Sequence, residues 1–349
     1  MSDTHSEVKK TKSKFRKKQD QPIDITELAK KIKSGSITDL SKAITMIESR
    51  SDKHRKESND LLETILPYTG KSIRIGISGV PGAGKSTFIE SFGLFLCELG
   101  YKVAVLAVDP SSPISGGSIL GDKTRMEELS RHPLAFIRPT PSEGTLGGVH
   151  RKTLESMMLC EAAGYSIVLV ETVGVGQSEA EVRDMVDFFL LLALTGAGDE
   201  LQGMKKGILE LVDTIIINKA DGDNLDKALK AKHEYQHILH DIKPATPGWQ
   251  AKTFTCSSLY RTGLDDIWKC IRNFIELTTN IGVLEEKRKK QLSKWLQKEI
   301  KNKILEHFYS DPEIKKLLPV LEQKVMNGDE IVSNAANQLL KVYFSDKEQ

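Results

Sequence analysis

The sequence predicts an α/β fold in which a mostly parallel central sheet is flanked by helices. Two observations support this prediction: short apolar runs suited to buried strands alternate with longer segments of helical periodicity, and 39% hydrophobic residues in a chain of 349 suffice to bury a sizeable core. Strands that alternate with helices favour a parallel sheet, because each helix returns the chain to start the next strand in the same direction. The apolar runs span residues 73–78, 103–108, 134–137, 167–170, 186–194, 212–217 and 253–256.

Helical segments precede and follow the predicted sheet domain of residues 69–279. Residues 23–68 carry apolar side chains at helical spacing and predict an N-terminal extension of two or three short helices. After Thr278 the strand signal stops, and residues 280–349 predict a C-terminal arm that starts with a long basic amphipathic helix. The apolar stripe of this arm suits either core packing or packing against a second copy of the chain.

Residues 1–22 are rich in lysine and lack the apolar stretch of a secretory signal. Their composition predicts a disordered, solvated tail, because such a segment cannot bury enough apolar surface to fold. The alternative is a basic arm that contacts an acidic surface or nucleic acid.

The overall composition argues against several classes of protein. Fifty basic and 48 acidic residues give a formal charge of +2, so no charge imbalance indicates nucleic acid as a partner. The longest apolar run, residues 188–194, has the length of a strand and predicts no membrane span. Scattered cysteines argue against a disulfide framework and a zinc site, and predict a soluble protein in a reducing, cytoplasmic setting. The cysteines are Cys97, Cys160, Cys256 and Cys270.

A glycine-rich motif follows the first apolar run and precedes a helical segment. It fits the pattern G-x-x-x-x-G-K-[ST], the phosphate-binding loop of P-loop NTPases. Its glycines let successive backbone N–H groups turn inward around a phosphate, and the following helix adds the positive end of its dipole. We expect Lys85 to reach the β- and γ-phosphates and Ser86 to coordinate Mg²⁺. The predicted nucleotide contacts are Gly79, Val80, Pro81, Gly82, Ala83, Gly84, Lys85, Ser86 and Thr87.

A second motif, Asn218-Lys219-Ala-Asp221, ends the apolar run of residues 212–217. A carboxylate at this position can accept hydrogen bonds from N1–H and the 2-amino group of guanine, whereas adenine offers no donor on that edge. Asp221 is therefore predicted to select GTP over ATP. After the last run, the backbone N–H groups of Ser257, Ser258 and Leu259 are placed to support the base from the other side.

Acidic residues at strand ends predict a magnesium site. Glu171 directly follows the run 167–170, and Gly174, three positions later, has an N–H that can sense the γ-phosphate. Because glutamate is longer than the usual aspartate, we expect Glu171 to contact Mg²⁺ through a water. Asp109 and Asp122 are further candidates to orient the metal or the attacking water. Each of these acids could instead be a helix cap or an ordinary loop residue.

Two other groups of polar residues receive weaker predictions. His233, His237 and His240 share one helical stretch without an acidic or cysteine companion, which favours a solvated helix face over a metal site. Four arginines are candidates for an arginine finger, and spacing does not choose among them. They are Arg125, Arg138, Arg151 and Arg183.

The chain resembles the methylmalonyl-CoA mutase-associated GTPases, the MeaB/ArgK family of SIMIBI-class P-loop GTPases. The resemblance covers residues 25 to 280 and includes the segments between the general GTPase motifs. The segments that carry it are Gly-Val-Pro-Gly-Ala-Gly-Lys-Ser-Thr (79–87), Ala-Val-Asp-Pro-Ser-Ser-Pro (107–113), Gly-Gly-Ser-Ile-Leu-Gly-Asp-Lys-Thr-Arg-Met (116–126), Arg-Pro-Thr-Pro-Ser-Glu-Gly-Thr-Leu-Gly-Gly-Val (138–149), Glu-Thr-Val-Gly-Val-Gly-Gln-Ser-Glu (171–179) and Asn-Lys-Ala-Asp (218–221).

The resemblance implies a homodimeric GTPase that chaperones an adenosylcobalamin-dependent acyl-CoA mutase, gates loading of that cofactor and protects the mutase. It also implies catalytic and magnesium-site roles for four residues, and it makes residues 196–206 a nucleotide-sensing loop that docks the mutase. The four residues are Lys85, Asp109, Asp122 and Glu171. One departure is Leu-Tyr-Arg-Thr-Gly at 259–263, where the family pattern has Ala-Arg after its first serine.

Three alternative functions are weaker. A GTPase that inserts nickel into hydrogenase or urease would carry Cys/His clusters near the nucleotide, and none is evident in the sequence. A nucleic-acid- or ribosome-associated GTPase is supported by the basic tail alone. A transport ATPase or kinase, an older label for some family members, would need a membrane segment or a second-substrate motif.

Overall fold

A computed structural model describes residues 23–49, 51–108, 126–140, 146–172, 178–195 and 206–345. These residues form a seven-stranded sheet in which every pair of neighbouring strands is parallel. The predicted α/β fold is therefore confirmed, and each strand overlaps one apolar run of the sequence. The strands are β1 (Ile73–Gly79), β2 (Val103–Val108), β3 (Ala135–Thr140), β4 (Ile167–Thr172), β5 (Phe188–Ala193), β6 (Thr214–Ile217) and β7 (Lys252–Thr255).

The strand order, β3-β2-β4-β1-β5-β6-β7, places the first strand at the centre of the sheet. Gly79 of β1 lies opposite Leu192 of β5, and Ile77 lies opposite Glu171 of β4. Because the strands are parallel, their final residues meet at one side, which we call the carboxyl edge, and their first residues meet at the amino edge. Open parallel sheets bind ligands beyond the carboxyl edge.

Helices surround the sheet on both faces. Asp24 and Ser36 begin the first two helices by accepting hydrogen bonds from the backbone N–H groups of Glu27 (3.0 Å) and Asp39 (3.3 Å). In chain order the helices are α1 (Ile25–Lys33), α2 (Ile37–Glu48), α3 (Asp52–Ile65), α4 (Lys85–Glu98), α5 (Glu127–Arg131), α6 (Leu146–Ala162), α7 (Ser178–Arg183), α8 (Lys206–Leu209), α9 (Leu225–Asp241), α10 (Leu264–Asn280), α11 (Val283–Ser310), α12 (Pro312–Met326) and α13 (Val332–Ser345). Helices α1 to α3 are the predicted N-terminal extension, and they pack against α6.

The two faces of the sheet support two separate cores. Successive residues of a strand point to opposite faces, so Phe189 and Leu191 of β5 join one core while Phe188 and Leu190 join the other. Burial of each such side chain contributes about 1.5–3 kcal/mol. A sheet covered on both faces holds the described residues at the ends of its strands close together at the carboxyl edge.

The C-terminal arm has a small core of its own, formed by α12 and α13 with Ile314 and Leu321 among its buried residues. Helix α11 is 28 residues long, and most of its apolar side chains lie outside any core. Four of them are between 49% and 62% exposed. They are Leu292, Leu296, Ile300 and Ile304, spaced one turn apart. No helix among the described residues combines the length and apolar character that crossing a membrane requires.

Buried charges at the amino edge are paired with partners from other parts of the chain. Glu161 accepts hydrogen bonds from Arg74 Nε (2.8 Å) and Nη2 (3.1 Å). Asp187 accepts from Arg288 Nε (2.8 Å) and Nη2 (2.7 Å), and its backbone oxygen accepts from Lys287 Nζ (2.5 Å). Burial alone raises the pKa of Asp187, but the hydrogen bonds and charge of Arg288 outweigh burial and lower the pKa below its usual value. The arm is thereby anchored to the sheet domain.

Candidate nucleotide site

The phosphate-binding loop leaves β1 at the centre of the carboxyl edge and enters α4. Gly84 precedes the helix with φ = 82°, in the left-handed region that side chains other than glycine rarely adopt. A Cβ atom at Gly84 would lie 2.9 Å from Nδ2 of Asn218, and one at Gly79 would lie 2.6 Å from the backbone oxygen of Leu192. These positions therefore need glycine for space, and Gly84 needs it for conformation as well.

Lys85 begins α4 and turns its side chain back over the loop. Its Nζ donates to the backbone oxygens of Gly79 (2.7 Å) and Val80 (3.5 Å). Burial lowers the pKa of Lys85, whereas the carboxylates of Glu171 and Glu179 act in the opposite direction. A partly buried ammonium group whose hydrogen-bond acceptors are backbone oxygens gains strongly from an anionic ligand, as a phosphate group would provide.

Ser86 and Glu171 lie together at the end of β4. The hydroxyl of Ser86 is 3.4 Å from Oε1 of Glu171, which is 8% exposed, and Thr172 Oγ1 is 2.9 Å from Ser78 Oγ on the neighbouring strand. A hydroxyl and a carboxylate are oxygen ligands of the type that Mg²⁺ prefers. The pair fits the predicted metal role, which stays a prediction. Within the described ranges, no group of three or more His, Cys, Asp and Glu residues is arranged to hold a metal.

Asn218 connects the phosphate-binding loop to the loop after β7. Its Nδ2 donates to the backbone oxygen of Ala83 (2.8 Å), and its Oδ1 accepts from the backbone N (3.2 Å) and the hydroxyl (2.8 Å) of Ser258. The side chain of Asn218 is buried, so these bonds are shielded from water. The predicted phosphate and base contacts are therefore held at a fixed separation.

Asp221 lies beside Ser257, whose hydroxyl donates to the Asp221 carboxylate. Lys219 has a left-handed backbone (φ = 59°), and Asn224 holds that turn by donating to the Lys219 oxygen at 2.6 Å. Leu259, at the tip of the next turn, is 71% exposed. A carboxylate and an exposed apolar side chain on adjacent loops suit the edge and the face of a purine base. Since the N–H of Ser258 already donates to Asn218, the N–H of Leu259 is the better placed of the two to donate a hydrogen bond to a purine base.

Two residues near the site were missed by the sequence analysis. Glu179, on α7 and 2% exposed, acts electrostatically on Lys85, although the sequence motif that contains it was assigned no role for this position. Ser91 on α4 donates to the backbone oxygen of Ser258 at 2.6 Å. A serine inside a helical segment gives no sequence signal for such a contact, whereas the acidic end of the motif at 171–179 could have singled out Glu179.

Several predicted residues lie outside the described parts of the chain: Asp109, Asp122, Arg125, Gly174, residues 196–205 and the tail 1–22. The other candidate arginines are ion-paired away from the phosphate-binding loop. Their partners are Glu48 for Arg138, Glu155 and Glu299 for Arg151, and Asp213 for Arg183. His233, His237 and His240 are exposed on α9, which confirms the solvated helix face. Each of the four cysteines is a buried free thiol.

The described residues thus bring the predicted phosphate, magnesium and base contacts together at one edge of the sheet. The start of α4 supplies Lys85 and Ser86, the end of β4 supplies Glu171, and the loop after β6 supplies Asp221. This arrangement suits a guanine nucleotide with a magnesium ion on its phosphates.

Comparisons with known proteins agree with this site. The family described as "Methylmalonyl Co-A mutase-associated GTPase MeaB" matches residues 40–313. "GTPase ArgK" of Escherichia coli (strain K12) is 49% identical over 287 residues, which are 82% of this chain and 87% of that protein. "Methylmalonic aciduria type A homolog, mitochondrial" of Mus musculus is 45% identical over 316 residues, which are 88% and 76% of the two chains.

A solved structure shows the same architecture. The structure described as "Crystal structure of LAO/AO transport system kinase" superimposes with a TM-score of 0.72 at 39% identity, covering 91% of this chain and 97% of that one. The family match extends from α2 through the nucleotide site to the start of α12. The chain therefore belongs to the MeaB family of methylmalonyl-CoA mutase-associated GTPases and is a P-loop GTPase.

Proposed function

We propose that this GTPase is a chaperone of an adenosylcobalamin-dependent acyl-CoA mutase of the methylmalonyl-CoA mutase type, that it gates loading of the cofactor, and that it protects the mutase. The observation that carries the proposal is the family match over residues 40–313, because the name of that family links it to methylmalonyl-CoA mutase. Relatives described as methylmalonic aciduria type A homologs in mouse and Caenorhabditis elegans support it.

For hydrolysis, Lys85 would neutralise charge on the β- and γ-phosphates, and Ser86 and Glu171 would hold Mg²⁺, Glu171 through a water. The 3.4 Å contact of Ser86 with Glu171 supports this pairing. Asp109 and Asp122 would orient the metal or the attacking water. Asp221 would select guanine, with the loop of Ser257 to Leu259 on the other side of the base. In this proposal Mg²⁺ would supply positive charge near the β-phosphate oxygens, where negative charge develops as GDP leaves.

We also propose that the protein is a homodimer in a reducing compartment such as the cytoplasm. The arm, residues 280–349, would carry the dimer contact, because α11 presents Leu292, Leu296, Ile300 and Ile304 on an exposed face. The buried free cysteines support a reducing compartment.

The proposal is tested by measuring GTP hydrolysis with and without an adenosylcobalamin-dependent mutase from the same organism. We expect the mutase to change the hydrolysis rate, and the nucleotide state to change the affinity for the mutase by the reciprocal factor. RNA in place of the mutase is the control for a nucleic-acid-associated GTPase. Stimulation by RNA and an unchanged rate with mutase would refute the chaperone function.

A further inference from the structure

Helix α7 lies between the nucleotide site and the C-terminal arm. Five residues separate its first residue from the end of β4, the strand that carries Glu171. On one side of α7, Glu179 is buried and its charge acts on Lys85 of the phosphate-binding loop. On the other side, Glu181 accepts a hydrogen bond from Lys298 of α11 at 3.0 Å. Helix α7 also packs against β1 and β4, the strands that lead to the phosphate-binding loop and carry Glu171, so it contacts elements of the nucleotide site as well as the arm.

Contacts between α11 and the segment around α7 continue along several turns. Beyond Lys298, Lys294 pairs with Asp184 at 2.8 Å, and Gln291 donates to the backbone oxygen of Val186 at 2.9 Å. Trp295, which lies between Lys294 and Lys298 in the chain, packs against the core that contains Phe189 and Leu191 of β5. Helix α11 therefore contacts α7 itself at Glu181 and the segment after α7 at Asp184 and Val186.

The arm also contacts a second helix of the sheet domain, α6. Arg151 of α6 donates to Glu299 of α11 at 2.8 Å, and Glu155 on the same helix accepts from Arg151 at 2.7 Å. Lys298 and Glu299 are adjacent on α11, so one turn of the arm contacts both α6 and α7. Burial lowers the pKa of Arg151, but the carboxylates of Glu155 and Glu299 outweigh burial and raise it.

The far end of α7 is fixed. Arg183, its last residue, forms a buried ion pair with Asp213 at the start of β6 and donates to Thr246 Oγ1 at 2.7 Å. Val182 is also fully buried, packed beside Gly76 of β1. Since Val182 and Arg183 fix the last residues of α7, we expect a change that follows phosphate or magnesium binding to affect the residues before them, which include Glu179 and Glu181.

We propose that α7 couples the nucleotide state to the C-terminal arm, and that Lys298 is a positioning residue for hydrolysis that acts through Glu181 on the placement of α7 against β1 and β4. The coupling belongs to the GTPase itself and does not depend on a mutase. It is reciprocal: if GTP and GDP differ in the α7 position they favour, the arm contact must alter the relative affinity for the two nucleotides by the same factor.

The test uses the full chain and a charge exchange: Lys298→Glu, Glu181→Lys and the double variant. Side chains of this pair are about one third exposed, 31% and 30%. An ion pair of that exposure is worth up to about 1 kcal/mol, so we expect each single variant to lower kcat for GTP roughly twofold to fivefold and the double variant to recover most of it. Lys290→Glu is the matched control, because Lys290 pairs with Glu286 on its own helix and is 71% exposed.

Two further measurements distinguish the proposed positioning role of Lys298 from a purely structural role. KM for GTP and the thermal midpoint show whether the single variants merely bind or fold less well, and hydrogen exchange of residues 294–300 with GDP and with a GTP analogue reports the coupling directly. We expect exchange in that segment to differ between nucleotides in the wild type and to lose this difference in Lys298→Glu. A wild-type kcat in the single variants, or a double variant no better than the product of the singles, would overturn the proposal.

Discussion

Charged residues have different hydrogen-bond partners at the two edges of the sheet. At the amino edge, Arg288 and Asp187 satisfy each other inside the protein. At the carboxyl edge, Lys85 is bound to backbone oxygens, and Glu171 lies beside a hydroxyl at 3.4 Å. The two charges at the amino edge hydrogen-bond each other directly, whereas the hydrogen bonds of the Lys85 ammonium group go to backbone oxygens, which suits an additional anionic ligand.

From this difference we infer that charged residues at the amino edge maintain the fold and that those at the carboxyl edge bind the ligand. Removing a partner at the amino edge leaves an uncompensated buried charge, which destabilises the native state. We expect removal of a charge at the carboxyl edge to weaken the interaction with nucleotide while leaving the two sheet cores intact. The predictions below test this division from the largest expected effect to the smallest.

The largest effect is expected for Lys85→Ala. Loss of the ammonium group at the phosphate site should lower GTP turnover roughly a thousandfold, with little change in the free energy of unfolding without nucleotide. Phosphate release assays measure the turnover. Lys269→Ala is the control, since Lys269 is 58% exposed and pairs with acids on its own helix. Turnover at the wild-type rate would mean that Lys85 is not a phosphate ligand.

Asp187→Asn tests the amino edge. The amide cannot balance the charge of Arg288, so the free energy of unfolding should fall by roughly 3 to 5 kcal/mol. GTP turnover per folded molecule should stay near that of the wild type. Urea unfolding gives the first quantity, and Asp184→Asn is the control, because the Asp184 pair with Lys294 is 45% and 62% exposed and contributes little. Equal stability of the two variants would contradict the comparison.

Asp221→Asn tests the base-reading part of the carboxyl edge. The amide can present a donor to the carbonyl group that replaces the 2-amino group in xanthosine triphosphate, so preference should shift from GTP toward that nucleotide by at least about a hundredfold. Competition binding measures the ratio. Asp223→Asn, two residues away and exposed, is expected to leave it unchanged. A variant that still prefers GTP widely would show that Asp221 does not read the base.

The smallest effect concerns Lys287. Burial lowers the pKa of this lysine from 10.5 to about 8. A lysine with a lowered pKa binds its proton more weakly in the folded state, so its contribution to stability rises with pH between these two values. From about pH 7.5 to about pH 9, stability should rise by about 1 kcal/mol more in the wild type than in Lys287→Met. Chemical unfolding at both pH values checks this, with Lys290→Met as the exposed control, and identical slopes would argue against a buried ammonium group.

Much of the fold was predictable from the sequence because strand burial leaves a direct pattern. The run at 167–170 is apolar at every position since β4 is covered on both faces, and the same holds for β5. The strand order was not predictable, because pairing of β1 with β4 and β5 depends on tertiary packing. The fate of the arm's apolar stripe was equally open, since helical periodicity is the same for a buried and an exposed face.

The site was predictable where function requires a residue type at a fixed spacing. Gly84 and Lys85 follow from the demands of the phosphate loop, and Asp221 from those of guanine. The contacts that hold these residues were not predictable. Asn218 bonds to Ala83 and Ser258, which are 135 and 40 positions away in the chain, and no local pattern records such distances. Glu179 differs, since the acidic end of the motif at 171–179 marks the position, but only the structure shows that its charge acts on Lys85.

The division between the two edges is tested most directly by thermal unfolding of three proteins with and without magnesium and a non-hydrolysable GTP analogue. Nucleotide that binds the folded state raises the midpoint by mass action. We predict that Lys85→Ala keeps the wild-type midpoint without ligand and loses most of the rise, whereas Asp187→Asn starts lower and keeps the rise. If Asp187→Asn lost the rise, or Lys85→Ala were as unstable without ligand as Asp187→Asn, the assignment of binding to one edge and stability to the other would be wrong.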